Sequence, residues 1–112
     1  MTLSGKVALV TGASSGIGKA TALLFAKEHA RVALVGRKRE ALQDVQNEIA
    51  QHGGESLLVL ADVTQAVQCR QAVEQTVAHF GGLDILITNA GGPTPGSIDA
   101  LDDAAWSRGI DL

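Results

Sequence analysis

The 112-residue chain is predicted to fold as an α/β domain, a parallel sheet wound on both faces by helices, and three observations predict it. Short runs rich in Val, Leu, Ile and Ala alternate with longer stretches of helical periodicity. The short runs are nearly continuous in apolar residues, as strands covered on both faces require. A glycine-rich turn joins the first run to the first helical stretch. Strands that alternate with helices at this interval call for right-handed β-α-β crossovers.

Residues 3–11 read as strand one, and Ile17, Ala20, Thr21, Leu24 and Phe25 recur at helical spacing to give helix one an apolar face. Residues 31–35 form a second buried strand. Helix two is expected over residues 39–51, with Leu42, Val45 and Ile49 facing inward and Gly53 and Gly54 stopping it. Strand three covers residues 56–61. Thr64 is placed to cap a third helix that runs to about Phe80 ahead of Gly81 and Gly82. Residues 84–88 form strand four, after which a loop rich in breakers leads to a further helix starting near Leu101 or Asp102.

With 46% hydrophobic residues the chain has material for one core. A net charge of −3 gives no general attraction to nucleic acid or anionic membranes. The apolar run Val7 to Val10 is far too short for a signal core or a membrane span, so a cytoplasmic protein is expected. The single cysteine, Cys69, shares a helical face with Ala72, Val73, Thr76, Val77 and Phe80 and reads as a buried structural thiol. His29, His52 and His79 stand near the ends of three predicted helices and read as surface residues with no metal-binding partners.

The turn Thr11-Gly12-Ala13-Ser14-Ser15-Gly16-Ile17-Gly18 carries the chemistry. A buried strand that passes straight into a helix needs backbone angles that side chains resist, and glycine supplies them. Gly12 lets the chain leave the strand, Gly16 brings the main chain within reach of a pyrophosphate, and Gly18 lets the first helical turn pack closely on the sheet. The free N–H groups and positive dipole end of the helix, which opens with Ile17, favour an anion, and the Ser14 and Ser15 hydroxyls add donors. A turn that binds nothing is the alternative, and the strand-turn-helix context counts against it. No Lys-Ser or Lys-Thr pair follows the last glycine, which separates this turn from a P-loop.

Asp62-Val63 after strand three and Asn89-Ala90-Gly91 after strand four complete an ordered set of three motifs, and from about Lys6 to Leu112 the sequence resembles the short-chain dehydrogenase/reductase family. The resemblance implies a Rossmann-type sheet in strand order 3-2-1-4, truncated before a fifth strand, within a single dinucleotide-binding domain over residues 1–112. It implies that Asp62 accepts a hydrogen bond from the adenine amino group, that Val63 donates or packs beside it, and that Asn89, Ala90 and Gly91 lie along the adenosine ribose. An ionised carboxylate is an acceptor that suits an exocyclic amine. Two other readings stand beside these: Asp62 as a capping acid ahead of helix three, and Asn89 as a tie between loop and strand. His29 occupies a place where the family usually has glycine, so a left-handed residue is expected there.

Family members selective for NAD place an acid at the end of strand two. Here that place falls on Gly36, followed by Arg37, Lys38 and Arg39. The planar arginine fork suits phosphate oxygens, so NADP(H) is expected over NAD(H), the alternative being a solvated basic helix start. Ser15 argues the other way, because NADP-selective relatives often carry a basic residue in the glycine turn. The family's catalytic serine, tyrosine and lysine are implied to lie beyond Leu112, and the chain holds no tyrosine, so no catalytic residue is assigned and residues 1–112 alone are expected to show no turnover. The expectation is an NADP(H)-dependent oxidoreductase acting on a small carbonyl or alcohol, with homo-oligomers at full length. The alternative is a non-catalytic nucleotide-binding or assembly module.

Overall fold

A computed structural model describes residues 3–14 and 16–89. The elements alternate as expected: β1 (Val7–Thr11), α1 (Gly16–Lys27), β2 (Arg31–Gly36), α2 (Arg39–Gln51), β3 (Ser56–Leu60), α3 (Ala66–Phe80) and β4 (Ile85–Ile87). Every pairing is parallel and the strand order is β3-β2-β1-β4. The loop from Ala90 and the helix expected near Leu101 lie outside the described residues.

Successive side chains of a strand point to opposite faces, and both faces of β1 and β2 are covered. On one face Val10, Val32 and Leu34 join Ala22 of α1 and Leu42, Val45 and Ile49 of α2. On the other Val7, Leu9, Ala33, Val35 and Val59 join Cys69, Ala72, Val73 and Phe80 of α3. Each large aliphatic side chain so buried contributes roughly 1.5–3 kcal/mol. This two-sided burial is why the strands read as unbroken apolar runs. Helix α2 spans the residues read from its periodicity, and α3 buries the expected face with the Cys69 thiol inside it.

Three local expectations are corrected. Strand β1 begins at Val7, four residues late, because the Leu3 N–H donates to the Glu28 carbonyl at 2.7 Å and the Lys6 N–H to the Leu3 carbonyl at 2.9 Å. That turn ties the chain start to the end of α1 and leaves it no partner strand. Helix α1 buries Gly18 and Ala22, whereas Ile17 and Leu24 of the expected face are 76% and 54% exposed. The close approach at Gly18 brings the smallest side chains inward and displaces the larger ones. Thr64 does not cap α3: Gln65 holds that position without a side-chain bond. The Thr64 N–H and hydroxyl instead both donate to Asp62 Oδ1, at 2.9 and 2.6 Å, in a tight Asx-type turn.

The left-handed residue before β2 is present. His29 has φ 75° and is exposed, and it closes α1 with its N–H on the Ala26 carbonyl and the Ala30 N–H on the Phe25 carbonyl, both at 3.0 Å. That pair of bonds is a Schellman ending, which normally takes glycine at the position His29 occupies.

Candidate functional site

Register brings the predicted residues to one edge. Thr11 pairs with Val35, Val35 with Val59, Gly36 with Leu60 and Val10 with Ile87, so the residues that follow each strand emerge side by side at its carboxyl end. Gly12, Arg37, Asp62 and Asn89 therefore share the crevice where open α/β sheets take their ligands.

The glycine corner is built by near-contact of main chains. Gly12, at φ 61°, lies against Asn89: a Cβ on it would overlap the Asn89 carbonyl oxygen and stand 3.1 Å from its carbon. A Cβ on Gly18 would overlap the Gly12 carbonyl oxygen and lie 2.7 Å from the Gly12 carbon. Gly16, at φ 58°, differs, because a Cβ there would meet nothing within 4 Å among the described residues. Two glycines close the corner and the third keeps it open. Ile17 lays an exposed apolar side chain beside the opening and Ser14 is half-buried, while Ser15 lies outside the described residues.

Thr11, the last residue of β1 and the first of the turn, joins the corner to β4. Its hydroxyl donates to the Ile87 carbonyl at 3.5 Å and accepts the Asn89 N–H at 2.8 Å. A polar residue ending an otherwise apolar strand was the available signal. The Asn89 side-chain amide nitrogen is buried and bonds to no group among the described residues. Ala90 and Gly91 lie outside them.

Arg37 and Lys38 are exposed where β2 passes into α2. Gly36 has a packing reason of its own: a Cβ there would stand 3.3 Å from Leu42 Cδ2, pressing on α2. Asp62 lies two residues beyond the end of β3. The Thr64 hydroxyl and then the Thr64 N–H hold its carboxyl below the usual carboxylate range, with a smaller contribution from the Arg37 charge, which places that guanidinium in its field. Half-buried Val63 follows, its carbonyl accepting the Cys69 thiol at 3.0 Å. Burial, and then the negative charge of Asp62, push the Cys69 thiol up, so it remains a protonated donor.

The histidines are away from this edge. His29 and His52 line a cavity of about 590 Å³ at the amino ends of the strands, between α1 and α2. Among the described residues no cluster of His, Cys, Asp and Glu could hold a metal, and no helix is long and apolar enough to cross a membrane.

The parallel order and the glycine corner at its carboxyl edge define a Rossmann-type domain. The chain belongs to the short chain dehydrogenase family, whose profile matches residues 6–112. It is 38% identical over its whole length to an uncharacterized oxidoreductase of Listeria monocytogenes, of which it covers 45%. It is 43% identical over 103 residues to the glucose 1-dehydrogenase of Gluconobacter oxydans, matching 89% of this chain and 39% of that enzyme. A short-chain dehydrogenase/reductase structure from Serratia marcescens superposes with a TM-score of 0.89 at 33% identity, over 98% of this chain and 53% of that one. The chain thus spans less than half the length of these curated relatives.

Proposed function

We propose that this chain forms the adenine- and phosphate-binding part of an NADP(H)-dependent oxidoreductase. The carrying observation is the corner itself, where Gly16, at the amino end of α1, has no described residue within 4 Å of the place a side chain would take. The main-chain amides and positive dipole end at such a helix start suit a diphosphate. The orphaned Asn89 amide nitrogen, a donor with no acceptor among the described residues, supports a ligand in the same crevice. Nicotinamide dinucleotide fits this set: Gly12, Ser14, Ser15, Gly16, Ile17 and Gly18 would hold the pyrophosphate, Asp62 and Val63 the adenine, and Asn89, Ala90 and Gly91 the adenosine ribose. When bound, that cofactor supplies or accepts hydride from a small carbonyl or alcohol.

NADP(H) is preferred over NAD(H) on the charges at the end of β2. Arg37 and Lys38 present exposed cations there, and Gly36 supplies no carboxylate to repel a 2′-phosphate. Asp62 is the nearby acid, and the bonds from Thr64 occupy its Oδ1. The test is titration with 2′-phosphorylated and unphosphorylated adenine nucleotides on wild type and Arg37→Ala. Wild type should favour the phosphorylated form by about tenfold or more, as one charge-assisted contact is worth about 1.5–3 kcal/mol, and R37A should lose most of that preference. Equal affinities in both proteins would remove the basis for NADP(H). No nucleotide binding at all would remove the reading as a whole.

A further inference from the structure

The Asp62-Val63 segment has a second set of attachments, all on α3. The Asp62 N–H donates to Gln68 Oε1 at 2.6 Å, and the Cys69 thiol donates to the Val63 carbonyl at 3.0 Å. Gln68 and Cys69 are consecutive residues of the helix, and the two groups they bond bracket the dipeptide: one peptide precedes Asp62, the other follows Val63. The remaining polar groups are largely committed as well. The Asp62 carbonyl accepts the Gln65 N–H at 3.0 Å, and Asp62 Oδ1 takes both Thr64 donors.

Two groups are left without a bond to any described residue, Asp62 Oδ2 and the Val63 N–H, one acceptor and one donor on adjacent residues. That pair matches the edge of adenine, which offers an amino donor beside a ring-nitrogen acceptor. Hypoxanthine presents the reverse pattern, a carbonyl oxygen beside a ring N–H.

We propose that Gln68 and Cys69 are positioning residues that fix this acceptor and donor, and so set the preference for adenine over hypoxanthine. The proposal rests on the adenine reading of Asp62 and Val63 above. Helix α3 suits the task because Cys69 is buried beside Ala72 and Val73 against the sheet, so a bond from its thiol refers the loop to the core and not to a mobile surface group. Gln68, half-buried one residue earlier, fixes the other end. An ordinary stabilising tie would lower the melting temperature when cut and leave base preference untouched, which separates it from a positioning role.

The experiment is calorimetric titration of the protein with NADP and with its hypoxanthine counterpart, on wild type, Gln68→Met, Gln68→Glu, Cys69→Ala and Cys69→Ser, with a thermal melt of each. Q68M removes the acceptor at a half-buried helix position and is the deciding variant. Wild type should prefer the adenine form, and Q68M and C69A should each lose about five- to tenfold of that preference, the share of one hydrogen bond. Q68E and C69S, which keep an acceptor and a donor, should restore most of it. A selective wild type with equally selective Q68M and C69A would overturn the positioning role alone, and so would lowered melting temperatures with unchanged preference. A wild type that binds both nucleotides equally would overturn the adenine reading and this proposal together.

Discussion

Gly18→Ala sets two opposed effects against each other at one atom. Alanine is the better helix former, by about 1 kcal/mol, and Gly18 lies in the first turn of α1. Against this, the added methyl would overlap the Gly12 carbonyl oxygen, stand 2.7 Å from its carbon and lie 3.2 Å from the Thr11 carbonyl oxygen. Favourable contact between carbon atoms needs about 3.5–4.0 Å, so α1 must withdraw by roughly 1 Å. All three neighbours are main chain and cannot rotate aside, which puts the cost at the upper end of overpacking, about 3 kcal/mol. The net loss of about 2 kcal/mol corresponds to a fall in melting temperature of about 10 °C for a domain of this size. Gly16→Ala is the control. Its methyl would meet nothing among the described residues, and the left-handed backbone costs about 1 kcal/mol, so it should melt only about 5 °C low while nucleotide affinity falls sharply. Thermal melts paired with nucleotide titration read both. A Gly18→Ala protein melting at or above wild type, or a Gly16→Ala protein binding as wild type does, would refute the account of the corner.

Two further outcomes follow from side chains already described. At His29, with φ 75° and an exposed ring, urea midpoints should rank His29→Gly above wild type by about 0.5 kcal/mol and His29→Val below it by more than 1 kcal/mol, since β-branched residues resist left-handed angles most; the reverse order would show that the ring makes a compensating contact. At Asp62, the Thr64 donors favour the charged form, so the stability this carboxylate contributes is in place above the ordinary value of about 3.9 and is lost as pH falls through its lowered value. Thr64→Val keeps the N–H and removes the hydroxyl, so the Asp62 carboxyl should titrate at a higher pH by carbon-detected NMR. An unmoved titration would contradict the assigned cause.

The layering was legible in the sequence because it depends on neighbours along the chain. Leu42, Val45 and Ile49 mark the inner face of α2 at the helical period, and the unbroken apolar runs mark strands buried twice over. Reading failed where an interaction between elements outranked the local pattern. The face of α1 was misjudged because apolarity ranks Ile17 and Leu24 above Gly18 and Ala22, whereas close approach to the corner selects for small size. Thr64 was misread because its hydroxyl has two rival uses, and an aspartate two residues earlier won it. At the candidate site, the gathering of the glycine corner, Arg37 and Asp62 at one edge of the sheet was legible, because it follows from the strand order alone. The Thr11 bonds to β4 left only the weak mark of a polar residue ending an apolar strand, and the hold of Gln68 on the Asp62 N–H leaves no periodic or compositional trace.

The seam between Thr11 and the start of the Asn89 loop has a kinetic consequence. Its two hydrogen bonds join residues 76 and 78 positions apart, so each closes a loop of most of the described chain. Closing so long a span is entropically slow, and contacts of this separation delay folding. The glycine corner is therefore a late arrival on the folding pathway, and if it holds the proposed dinucleotide, added dinucleotide should slow unfolding while leaving the early refolding phases, in which β1 and β2 pair, unchanged.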